Sequence, residues 1–322
     1  SLASGLADRE SQIPMKPDAV MFSGSVGKTY VAAVVLKLHE KGLIDLDRTA
    51  AEYLKDEKWF AGVPNASEIK VSMLLNHTAG IPEYVYSREL WQKIQSEPDK
   101  VWTVGERLSY VTGRAPVHPA AQGWSYADSH YLVLGLIIEK VTGKSYYEVL
   151  DELILKPCKL NQTLAADKRE LPGLVPGYTG LTEAFLLPSK VLAEGIYAFN
   201  PQLEWTGGGL ITTVSDLTRW MNCLHGEKLL SPESHRLMVT PAPFTTGLFE
   251  NAGYGFGSFV GSTDGITYFG HTGFVPGYIT YVQYMPDSGI AIAFQFNCDN
   301  PHRGASIDNF FNSLKRIVLG NL

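Results

Sequence analysis

Cysteine is scarce in this 322-residue sequence: Cys158, Cys223 and Cys298 stand far apart, none in CxxC spacing. That count excludes a zinc framework and a disulfide scaffold, and leaves a single bridge open. Charge is sparse as well, at 19% of residues with a net of −6 and no cluster of Lys or Arg, so nucleic acid is excluded as an expected partner. Long apolar runs are missing. The longest, 131–138, falls far short of a membrane span. The opening Ser1-Leu2-Ala3-Ser4-Gly5 lacks the charged and apolar regions of a signal peptide. The eight histidines show no His-Glu-x-x-His or similar spacing, so no metal is implied, and no organic cofactor either. What remains is an ordinary globular composition, 45% apolar, in a chain long enough for one large domain or two lobes.

The pattern changes along the chain. Residues 1–24 read as an extended segment with turns that leads to Ser23-Gly24-Ser25. A helix follows, with Val31, Val34, Val35 and Leu38 on one stripe and Gly42 as its stop. Core packing alone accounts for that stripe, so any chemistry lies at the helix start. From about 48 to 245, helical patches at 71–76, 131–141 and 216–224 are broken by Pro/Gly loops. Strands take over near 253. Segments 254–260 and 266–269 flank one turn, 278–284 and 290–296 flank another, and the four read as two hairpins. A last helix carries Ile307, Phe310, Phe311, Leu314, Ile317 and Val318 on one face. The simplest assembly is α/β (α+β): an antiparallel sheet covered by the first and last helices, with a mainly helical lobe inserted between.

Ser-x-x-Lys occurs twice, as Ser25…Lys28 and as Ser67…Lys70. The second copy has no helix start and reads as solvated loop. In the first, a short turn puts Ser25 at a helix N-terminus, with Lys28 three positions on and on the same face. Unbonded N–H groups and the positive dipole end at that point favour a developing oxyanion. Lys28 can serve as a base only after losing its own proton, and burial favours that loss.

Two further elements follow in order: Tyr126-Ala127-Asp128, then His271-Thr272-Gly273 at a strand end. The series Ser-x-x-Lys, Tyr-x-Asn/Asp, Lys/His-Thr-Gly resembles the serine β-lactamase-like, penicillin-binding superfamily. It is most similar to the branch of class C β-lactamases, D-alanyl-D-alanine carboxypeptidases, D-aminopeptidases and related esterases. Surrounding phrases match over nearly the whole chain: 74–82, Gly208-Gly209-Leu210 with Ser215-Asp216-Leu217, and 273–277.

The resemblance implies a β-lactamase/transpeptidase-like single domain over 1–322. Its α/β lobe comes from about 1–47 and 246–322, its helical lobe from about 48–245, and the family's first helix and strand are missing. It implies a serine hydrolase that forms an acyl-enzyme on Ser25, with Lys28 and Tyr126 sharing proton traffic. The oxyanion hole is expected from the N–H groups of Ser25 and Phe274. His271 and Thr272 are expected to face the substrate, and Gly273 to let the strand approach the ligand backbone. His77 and Trp220 are read as structural. A small-molecule or peptide substrate and periplasmic or secreted residence follow from the family alone. Only 24 residues precede Ser25, so either an N-terminal piece has been removed or the sheet is closed by another chain or left short, and an uncovered edge raises the expectation of a homodimer.

Two departures shape the substrate expectation. His271 stands where β-lactamases usually carry lysine, and at the ordinary imidazole pKa only about a quarter of it is charged at pH 7. Asp128 stands where asparagine is usual, and a carboxylate there repels an anionic substrate. Both point from β-lactams toward neutral or amine-bearing esters, amides and peptides. β-Lactamase activity and an inactive binding module are the alternatives. A P-loop fails because Phe22 occupies the required glycine position, and a Gly-x-Ser-x-Gly elbow fails because residue 23 is serine.

Overall fold

The computed structural model describes residues 1–226, 229–245, 252–300 and 307–320. Five strands form one antiparallel sheet in sequence order: β1 (Ala252–Tyr254), β2 (Phe259–Thr263), β3 (Ile266–Val275), β4 (Tyr278–Met285) and β5 (Ile290–Phe296). The expected strand over 254–260 is in fact two. Gly255–Ser258 breaks it, and Gly257 takes a positive φ of 69°. Apolar periodicity cannot register such a turn when residues on both sides are apolar. The turn between β2 and β3 is tighter than read, Asp264-Gly265 with φ of 53° and 78°, the geometry of a two-residue hairpin. β3 is longer than read, and His271-Thr272-Gly273 sits inside it.

Alternation along the strands gives the sheet two apolar faces. Met285, Ile292 and Phe294 pack beneath the final helix through Phe311. Val275, Tyr278, Val282 and Tyr284 turn to the opposite face and join the main core. Helix α1 (Gly27–Glu40) is buried on all sides through Leu36. It packs on helix α3 (Asp128–Thr142), which follows the short helix α2 (Val71–Leu75). Gly143, at φ 67°, stops α3. Helix α4 (Val214–His225) lies on β4 and β5, and helix α5 (Ile307–Gly320) covers the other face.

A small three-stranded sheet joins Met21–Phe22 and Leu164–Ala165 to Leu210–Thr212. The segment ahead of Ser25 is thereby fixed from both sides. Ser23 N–H donates to Leu210 O at 2.9 Å, and Phe22 O accepts from Thr280 Oγ1 at 2.7 Å on the main sheet. Cys158 and Cys223 form a disulfide across 65 residues, the one bridge the sequence left open. Among the described residues, β5 has no strand partner beyond β4, and no helix is long and apolar enough to cross a membrane.

Candidate active site

Ser25 occupies a single 3-10 turn, Gly24–Val26, that leads directly into α1. From Met21 to Leu36 it is the only residue that is not buried. Glycines make this placement feasible. Gly24 has φ 51°, and a Cβ there would stand 2.5 Å from Phe274 N. A Cβ on Gly208 would meet Gly24 C at 2.5 Å, and one on Gly273 would meet Ser23 O at 1.9 Å. Three backbones, namely the nucleophile turn, the 206–209 turn and β3, thus pack without side chains between them. Gly273 lets β3 approach this turn closely. The Phe274 amide nitrogen lies beside Gly24, the residue before the nucleophile.

Lys28 is fully buried. Its Nζ donates to Ser25 Oγ at 3.0 Å and to Gly207 O at 2.6 Å, and it forms an ion pair with Asp128 Oδ1. The three donors of an ammonium are all committed. The rings of Tyr126 and Tyr131 stand 4.8 and 5.5 Å away. The Tyr126 hydroxyl is enclosed and lies against Ser25, with no hydrogen bond of good geometry. Burial and then the Asp128 charge push this phenol well above its usual range, so it is protonated at neutral pH. The structure therefore brings Ser25, Lys28, Tyr126 and Asp128 together around one hydroxyl.

His271 and Thr272 need correction as substrate-facing side chains. His271 is buried, and its ring accepts from Tyr254 Oη at 2.9 Å while Nδ1–H donates to Thr272 O. Burial, with the Lys28 charge second, lowers its pKa to about 3, so it is neutral. Thr272 pairs with Tyr281 and shares its face of the sheet, the one under α5. Its side chain is turned away from Ser25 by the strand's alternation. Trp220, read as structural, is buried, bonds Thr29 Oγ1 at 2.7 Å and stacks on Tyr30.

Two carboxyls escaped the sequence reading. Glu83 Oε2 accepts the Asp128 N–H, and its Oε1 accepts Val85 N–H at 3.3 Å. α3 has no capping side chain of its own, and Glu83 supplies one from a distant loop. Glu83 and Glu204 each keep an exposed edge, but their carboxyls are enclosed. Burial and then the Asp128 charge raise both to about 8. Neither carries a periodic signal, and Glu83 lies only one residue beyond the matched phrase 74–82. Among the described residues, no His/Cys/Asp/Glu group has the arrangement of a metal site.

A family model described as Beta-lactamase matches residues 1–315. Penicillin-binding protein 4 of Amycolatopsis lactamdurans is 27% identical over 331 residues, covering all of this chain and 82% of that protein. Penicillin-binding protein 4* of Bacillus subtilis (strain 168) is 26% identical over 286 residues, 86% of this chain, and the match spans 60% of its length. The D-aminopeptidase of Brucella anthropi is 25% identical over 99% of this chain and 56% of its own. Among solved structures, a D-stereospecific amidohydrolase from Streptomyces sp. superposes with a TM-score of 0.77 at 26% identity, covering 88% of this chain and 83% of that one. The octameric penicillin-binding protein homologue from Pyrococcus abyssi has the same fold, with a TM-score of 0.78 at 24% identity over 98% of this chain and 69% of its own. The chain belongs to the Beta-lactamase family, within the serine β-lactamase and penicillin-binding protein superfamily, and carries a serine-hydrolase site in that fold.

Proposed function

We propose that the protein cleaves amide or ester bonds of substrates bearing a free amino group, through an acyl-enzyme on Ser25. The observation that carries this reading is the charge around the nucleophile. Lys28 is already paired with Asp128, the carboxylate that carries the local negative charge, while Glu83 and Glu204, raised to about 8, are uncharged at neutral pH. His271 is neutral and bonded inward. Among the described residues a substrate carboxylate finds no unpaired cation beside Ser25, whereas an ammonium can share the Asp128 carboxylate. The D-aminopeptidase and the D-stereospecific amidohydrolase among the relatives support amides of D-configured amino acids or short peptides as the class.

The contacts of Lys28 with Ser25 and Asp128 support a proton path. Lys28 passes a proton to Asp128, which it touches, and its freed lone pair then takes the proton of Ser25 Oγ as the oxygen attacks the carbonyl. Tyr126, held as a phenol, donates to the leaving nitrogen or oxygen and recovers its proton from Lys28. The N–H groups of Ser25 and Phe274 receive the oxyanion. Water repeats the sequence on the acyl-enzyme, and Ser25 leaves with its proton restored.

Extracytoplasmic residence belongs to the same proposal. The Cys158–Cys223 disulfide supports it, because such bridges persist in oxidising compartments. Self-association is proposed through the open β5 edge, supported by the octameric homologue; sedimentation velocity showing only monomer would refute it.

Three substrates test the main reading: a neutral aryl ester, a D-aminoacyl anilide and nitrocefin. Turnover of the first two above the third, abolished by Ser25→Ala, is expected. Nitrocefin as the best substrate would overturn it, and absence of both turnover and fluorophosphonate labelling would favour a binding module.

A further inference from the structure

His77 follows α2 in the left-handed backbone region, φ 63°, and is fully buried. It meets the segment carrying Tyr126 at three points. Its carbonyl accepts the Ser125 N–H at 3.1 Å. Its Nδ1 accepts the Ala127 N–H at 3.3 Å. Its ring lies against the Tyr126 ring, with centroids 4.3 Å apart. The amides on both sides of Tyr126 therefore end on one histidine, and that histidine also backs the phenol.

An acceptor at Nδ1 must be unprotonated, and a second imidazole fixes this. His130 Nδ1 stands 2.9 Å from His77 Nδ1, and His130 Nε2 is the acceptor for Ile81 N–H at 3.2 Å. Ile81 can only donate, so the proton of His130 is on Nδ1 and points at His77. His77 then carries its proton on Nε2, which is buried without a hydrogen-bond partner. The groups facing the His77 ring are Trp124, Tyr126, His130, Tyr131 and Tyr254, with the Lys28 charge and the neutral His271 ring beyond them. Burial lowers both imidazoles, His130 to about 3, so the pair stays neutral through the working range.

We propose that His77 is a positioning residue for Tyr126: a single tautomer, set by His130, clamps the Tyr126 main chain and ring so that its hydroxyl faces Ser25. The proposal rests on the reading of Tyr126 as a proton carrier. It adds a dependence on a histidine pair that touches no substrate.

The test combines kinetics with a spectroscopic measurement that needs no turnover. In His77→Asn, Oδ1 replaces the Nδ1 acceptor and asparagine tolerates the positive φ; in His77→Leu the acceptor is gone. With an aryl ester, His77→Leu is expected to lower kcat about 100-fold, within the range of a displaced general acid–base, while KM moves less than about threefold. His77→Asn should stay within about tenfold of the parent. In His130→Leu, His77 loses the donor that fixes its tautomer, so kcat should fall while KM stays within about threefold. A purely structural histidine would lower thermal stability and leave kcat per folded site unchanged, which would overturn the proposal. Nitrogen-15 NMR of the imidazoles in the wild-type protein reads the tautomers directly, even if a variant fails to fold or no substrate is turned over. Protonation of His130 at Nδ1 and of His77 at Nε2 is expected, and the reverse pattern overturns the clamp independently of the proposed activity.

Discussion

Lys28 and Asp128 form a buried ion pair, and the remaining donors of that ammonium reach Ser25 Oγ and Gly207 O. A hydrogen bond and an ion pair thus join the nucleophile, its base and the carboxylate between the starts of α1 and α3. Replacing any member changes both stability and selectivity, because the pair lies out of water.

Asp128→Asn restores the residue usual in the related β-lactamases and leaves Lys28 without its counter-charge. Breaking a buried pair costs about 3–5 kcal/mol while the orphaned group stays charged, so chemical denaturation should show a loss of up to that size. The ratio of nitrocefin to D-aminoacyl anilide kcat/KM should rise at least about tenfold, since the change removes one negative charge from the site. An unchanged ratio would contradict the charge argument.

Gly273→Ala and Thr272→Ala separate backbone packing from side-chain contact. The first places a Cβ 1.9 Å from Ser23 O, a backbone atom that cannot swing aside. Loss of more than about 3 kcal/mol and of at least 100-fold in acylation rate is expected. The second trims a side chain on the far face of β3, and kcat/KM should change less than about threefold. A large kinetic defect in Thr272→Ala would show that its hydroxyl reaches the substrate.

Cys158→Ser/Cys223→Ser opens a loop of 65 residues that ties the region after residue 150 to α4. The chain-entropy argument gives a loss of about 4 kcal/mol. Neither cysteine takes part in the Ser25–Lys28–Asp128 contacts, so aryl-ester turnover at 25 °C should match the parent. Equilibrium urea unfolding and initial rates on the same preparation check both halves.

The stability profile against pH carries opposing signs. His77, His130, His225, His235 and His271 are lowered by burial, and each stabilises above the unfolded value of 6.5 and loses that contribution as pH falls below it. Glu83 and Glu204, raised to about 8, stabilise below the unfolded value of 4.5 and lose that contribution as pH rises toward 8. Between these unfolded values, five imidazoles outweigh two carboxyls and stability climbs with pH. Above 6.5 only the carboxyls act and it falls. Thermal unfolding at constant ionic strength should peak near about pH 6.5. A midpoint that keeps rising from there to pH 8 would contradict the assignment.

Much of this arrangement was written in local patterns. The stripe Val31, Val34, Val35, Leu38 marks α1, and three short motifs in order mark Ser25, Lys28, Tyr126 and the strand at 271–273. What local patterns missed is tertiary. The turn at Gly255–Ser258 hides between apolar neighbours. Glu83 acquires its role only because a loop crosses the start of α3. The pairing of Cys158 with Cys223 depends on where α4 packs. Thr272 was assigned to the cleft by its motif, but strand parity turned it to the other face. His77 looked like core because it is core; its bearing on Tyr126 lies in which amides its ring and carbonyl receive.

The most direct measurement is rapid-quench intact mass spectrometry after mixing the protein with an aryl ester of D-alanine, followed by peptide mapping. One acyl group per chain is expected, located on Ser25, absent in Ser25→Ala, and formed at least about 1000-fold more slowly in Lys28→Ala. An adduct on another residue, or full turnover in Ser25→Ala, would contradict the account.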